Sequence, residues 1–63
     1  MDSEIAIQFE LPDAQALALA QLVKRLGWSE MRQNAVSDDE AYLMKDALRE
    51  LQKALAAAGF APR

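Results

Sequence analysis

The 63-residue sequence contains no cysteine and no histidine. The first absence excludes disulfides and thiolate chemistry. The second removes the main transition-metal ligand, and with cysteine gone it excludes zinc and most related sites. Aromatic residues make up only 6%. No apolar run approaches the ~20 residues of a membrane-spanning helix. The two glycines and two prolines all fall where the pattern starts or stops a helix: Pro12, Gly27, Gly59 and Pro62.

A chain this short forms at most one domain. It buries a small share of its surface and is marginal alone. Ordering costs about 1.5 kcal/mol per residue, which small cores barely offset. With disulfide and metal removed, oligomerisation is the remaining staple. Hydrophobic content of 52% is too high for a disordered chain. A net charge of −3 does not suit a binder of phosphate backbones, although a local basic patch stays open. The run Met1-Asp2-Ser3-Glu4 is acidic and lacks the features of a signal peptide, so the expectation is a cytoplasmic protein without a membrane segment.

In chain order, Ile5, Ile7, Phe9 and Leu11 alternate with Ala6, Gln8 and Glu10. That period predicts a strand over about residues 4–11 with one buried face. A single strand cannot satisfy its own backbone, and no second strand is visible later. The expected partner is the same strand of another copy. Ile5, Ile7, Phe9 and Leu11 are therefore the candidate dimer ribbon.

Pro12 and Asp13 suit a first helical turn, so a helix is predicted to run to about Leu26. Leu19, Leu22, Val23 and Leu26 share one of its faces, with Ala16 at the edge. Gly27 is expected to end it in the left-handed conformation, with Trp28 folding back on Val23. Residues 29–34 read as one or two helical turns, with Trp28, Met31 and Val36 buried. Ser37, with Glu40 three residues later, reads as a capping box. The helix it starts is predicted to reach about Ala58. Ala41, Met44, Leu48, Leu51, Leu55 and Ala58 form its apolar seam, nearly three heptads long. Lys45, Asp46, Arg49, Glu50 and Lys53 form its solvated side, with Asp46–Arg49 and Glu50–Lys53 as ion pairs. Gly59 and Phe60 match a second helix stop. Residues 1–3 and 61–63 are expected to fray. The core seam is thus Leu19, Leu22, Leu26, Met44, Leu48, Leu51 and Leu55.

No catalytic constellation stands out. Each serine is explained by a terminus or a cap, so the protein is expected not to be an enzyme, with no cofactor and no metal. Asp38-Asp39-Glu40 lacks the ligand spacing and turn glycine of a calcium loop, and capping explains it more simply. The basic residues alternate with acids and read as a solvated face.

The strand, Leu11-Pro12-Asp13 and the helices that follow resemble the ribbon-helix-helix superfamily over about a third of the chain. The resemblance rests on Ile5, Ile7, Phe9, Leu11 and Pro12. It implies a dimer whose paired strands enter the DNA major groove. The outward residues here, Ala6, Gln8 and Glu10, are poor readers of bases, although Gln8 could pair with adenine. The turn that should hold phosphate carries Asp38, Asp39 and Glu40. The connector from Trp28 to Val36 is longer than the usual turn. A second resemblance covers most of the chain: Arg32-Gln33-Asn34-Ala35-Val36, Asp38-Asp39-Glu40-Ala41-Tyr42 and Ala58-Gly59-Phe60-Ala61-Pro62-Arg63 are similar to a small bacterial family of uncharacterised proteins. It implies no activity.

The expected fold is a single α+β domain over residues 1–63, mostly helical, with an N-terminal strand, two main helices and a short helix between them, dimeric through an antiparallel two-stranded ribbon. The expected role is a homodimeric, non-enzymatic protein-interaction module. Gln8, Glu10, Arg32, Asp38 and Asp39 are its candidate contacts with an unidentified protein. One alternative is a ribbon-helix-helix DNA-binding regulator, disfavoured by the charge. Another is an acidic, antitoxin-like or inhibitor-like binder of a basic protein through the Asp38–Glu40 patch.

Overall fold

The computed structural model describes residues 3–60. Three helices follow one another: α1 (Asp13–Arg25), α2 (Trp28–Asn34) and α3 (Asp38–Ala57). Both α1 and α2 pack on α3, and the two make no helix-to-helix contact with each other. Residues 3–11 precede α1 as an arm without regular secondary structure. The fraying expected at both ends falls, apart from the exposed Ser3, outside the described residues.

No strand occurs among the described residues, so the expected α+β class, N-terminal strand and antiparallel ribbon are corrected to an all-helical architecture with a leading arm. The physical reason lies in the backbone. A strand exists by its ladder of bonds to a neighbour. The rest of this chain is helical, and helices satisfy their own N–H and C=O groups and offer no edge. The alternating pattern therefore has nothing to pair with. Of the expected ribbon residues, Ile5 is 82% exposed, Ile7 79% and Phe9 59%, while Leu11 is half-buried.

Pro12 serves as N-cap of α1, with φ −57° and ψ 153° and no side-chain cap bond. Its carbonyl accepts from the Ala16 amide at 3.0 Å, closing the first turn. Asp13 in that turn, and Lys24 and Arg25 in the last, suit the helix dipole. The helix stops at Leu26, whose extended backbone (ψ 121°) still donates to the Leu22 carbonyl. Gly27 then corrects the expected left-handed stop. It is extended, at φ −105° and ψ 179°, because it is already the N-cap of α2. Glu30 reaches back to accept from the Gly27 amide at 2.8 Å.

Helix α3 is capped as the sequence indicates, with one shift. Ser37 Oγ accepts from the Glu40 amide at 3.2 Å. The Glu40 carboxylate, however, takes the Val36 amide at 2.9 Å instead of that of Ser37. The far end is a complete Schellman stop. Phe60 N–H donates to Leu55 at 2.8 Å, Gly59 N–H donates to Ala56 at 3.0 Å, and Gly59 sits at φ 95°. Phe60 packs against the core, as expected.

The core cluster is Ala20, Val23 and Leu55, with Leu19, Leu48, Leu51 and Phe60 packed against it. Ala16 and Ala41 are also buried, Ala41 completely. The expected seam holds in part. Leu55 is buried, and Leu19, Leu26, Met44, Leu48 and Leu51 are half-buried, but Leu22 is exposed, as is Ala58 at the end of the expected α3 seam. At 100° per residue, the buried stripe of α1 is rotated by roughly 60° toward Ala16, Ala20 and Val23. Small side chains let two helix axes approach closely, so the alanine stripe faces α3. Leucines at the same contact would hold the helices apart. Trp28 and Val36, expected inside, are exposed, and Met31 is half-buried.

Two substitutions test this architecture. Leu55→Ala removes the largest buried side chain and should cost about 2–5 kcal/mol, measured by urea unfolding followed by circular dichroism. Gly59→Ala meets no atom within 4 Å but forces a β-carbon into positive φ. It should cost about 1–2 kcal/mol through backbone strain alone.

Candidate functional site

Two apolar grooves flank α3, and they share no lining residue. The first, of about 1010 Å³, lies between the arm, α1 and α3. Ile7, Phe9 and Leu11 form one wall, and Leu51, Leu55 and Phe60 form the opposite side. The arm thus lies beside its own core without being covered by it. The outward residues Gln8 and Glu10 line the same groove.

The second groove, of about 580 Å³, lies between α2 and α3. Leu26, Trp28, Met31, Tyr42 and Leu48 supply apolar surface, and Lys45, Arg49 and Gln52 supply polar surface. The rings of Trp28 and Tyr42 meet with centroids 4.6 Å apart at 44°. That contact joins α2 to α3, and both rings stay partly open to solvent, Trp28 at 41% and Tyr42 at 56% exposure. Lys45 and Arg49 stand one turn apart on α3, and neither has an ion pair among the described residues. The expected Asp46–Arg49 pair is not formed, whereas Lys53–Glu50 is, at 3.2 Å.

The remaining expected contact residues divide. Arg32 and Asp38 come together: Arg32 Nε pairs with Asp38 Oδ1, and Arg32 Nη1 donates to the Ala35 carbonyl at 3.1 Å. Asn34 donates back to the Glu30 carbonyl at 2.7 Å. Together these bonds fix the turn from α2 into α3. Asp39 is exposed and takes no part in them. No group of three acidic residues close enough to hold a metal ion occurs among the described residues.

The sequence reading missed the α2–α3 groove because it placed Lys45 and Arg49 on a solvated side. A signal was available. Positions 42, 45, 49 and 52 recur at spacings of 3 and 4, so they form a second stripe on α3 next to Leu48.

The α2–α3 turn yields a graded prediction. Ser37→Ala should lower stability by about 1 kcal/mol through loss of the cap. Arg32→Ala should cost less than about 1 kcal/mol, because the Arg32–Asp38 pair is solvent-exposed. Thermal melts of the two variants check the order.

No curated protein and no solved structure shows a significant match to the chain. A family profile described as a family of unknown function (DUF7706) matches residues 1–63. The chain belongs to that family.

Proposed function

We propose that the protein is a small, non-enzymatic interaction module that works as a homodimer. The observation that carries this reading is exposed apolar surface on one short segment, where Ile5 is 82% exposed, Ile7 79% and Phe9 59%.

Ile5, Ile7 and Phe9 stand out on the arm, and Leu17, Leu22 and Leu43 stand out on α1 and α3. Scattered single exposures are ordinary, but three large apolar residues in one short unpaired segment are not. Covering them against another chain is the direct route to a stable fold for 63 residues. The second chain is taken to be a copy because it carries the same surplus.

The DNA-binding alternative rested on a strand before the helices. The described residues contain no strand, and the first turn of α3 is acidic, so that reading is not carried forward. The acidic-patch alternative also loses ground, since Asp38 is already paired with Arg32.

Multi-angle light scattering tests the homodimer. The expected mass is twice that of the chain, falling toward one chain on dilution and for Ile5→Asp with Phe9→Asp. A fully folded monomer at every concentration would overturn the reading.

A further inference from the structure

We propose that the groove between α2 and α3 receives the N-terminal arm of a second copy, in a reciprocal exchange that places two arms in two grooves. The inference rests on the homodimer reading and says where the arm goes.

Three observations carry it. The first is exposed apolar surface on both sides of the contact. The arm shows Ile5 and Ile7 to solvent, and the α2–α3 groove shows the half-open Trp28 and Tyr42 rings. The second is length. Ile5 to Phe9 spans about 13 Å when extended. The α3 wall from Tyr42 to Gln52 spans about 15 Å. The third is charge. Lys45 and Arg49 are cations at the groove without an ion pair among the described residues. Glu4 and Glu10 bracket the apolar residues of the arm and have no ion pair either. In an acidic chain, this groove is a place where a glutamate-flanked apolar segment meets positive charge.

Glu30 is the acid nearest to the groove: its carboxylate accepts from the amide of Gly27, a lining residue, at 2.8 Å, and it does not itself line the groove. Asp46 adjoins Lys45 in sequence but does not line the groove. Asp38 lies about 10 Å along the axis from Lys45, seven residues at 1.5 Å each, and is held by Arg32.

Charge exchange between variants tests the proposal in the full-length chain. Lys45→Glu with Arg49→Glu sets a negative groove against a negative arm. Glu4→Lys with Glu10→Lys sets a positive arm against a positive groove. Each variant alone should dimerise at least tenfold more weakly than wild type, while circular dichroism shows unchanged helicity. Mixed in equal amounts, the two should restore dimer, because both grooves then receive an arm of opposite charge. Trp28, the sole tryptophan, should shift its emission to the blue in the restored dimer. A control variant of the same net charge, Arg25→Glu with Lys53→Glu, should not rescue the Glu4→Lys, Glu10→Lys chain.

Undiminished dimers from the single variants would overturn the arm-in-groove contact and leave the homodimer standing. Weakened variants that fail to rescue each other, or that the control rescues equally, would also overturn it. A monomeric wild type would instead remove the homodimer reading on which the proposal rests.

Discussion

Everything else in the molecule hangs on the contact between the alanine stripe of α1 and the face of α3. Ala16, Ala20 and Val23 lie on one side of α1, and Leu55 closes the cluster from α3. Alanine brings two helices close but removes little apolar surface from water. Three of the five buried residues are alanines. The contact therefore fixes geometry well and contributes modest burial. A chain held this way keeps its larger apolar side chains half-covered: Leu19, Leu26, Met44, Leu48 and Leu51 are each left partly open.

From that economy of burial follows the character of the surface. Helix α3 has two flanks, one for α1 and one for α2, and neither companion is long enough to cover its flank fully. The result is a groove on each side. One is bordered by the chain's own arm, and the other lies between α2 and α3. The proposed homodimer would cover apolar surface that these flanks leave open.

Much of the helical framework was legible in the sequence. Ser37, Gly59 and Phe60 act locally, through bonds to amides and carbonyls within a few residues, and local chemistry can be read directly. The long seam of α3 was legible because a 3–4 repeat has one simple solution. Two features were not. The arm shows the alternation of a strand, yet pairing needs a partner that periodicity cannot supply. The buried face of α1 was assigned to its leucines and lies toward its alanines, because closeness of approach outweighed side-chain size. The α2–α3 groove escaped for a similar reason: lysine and arginine on a helix read as solvated until a second element is placed beside them.

The two glycines show how one residue type serves two opposite ends. After α3 nothing regular follows among the described residues, so Gly59 is free to turn to positive φ and complete the Schellman bonds. After α1 a new helix begins at once. Gly27 must then serve as N-cap of α2, and an N-cap requires extended backbone. The left-handed stop was thus excluded by the start of the next helix and not by any property of Gly27 itself. This tight junction has a structural consequence. Only Leu26 and Gly27 separate α1 from α2, so Trp28 is delivered directly to the side of α3, against Tyr42. A longer linker would let α2 drift, and a left-handed turn would aim Trp28 back at α1. The groove beside Lys45 and Arg49 exists because the chain turns there in extended form.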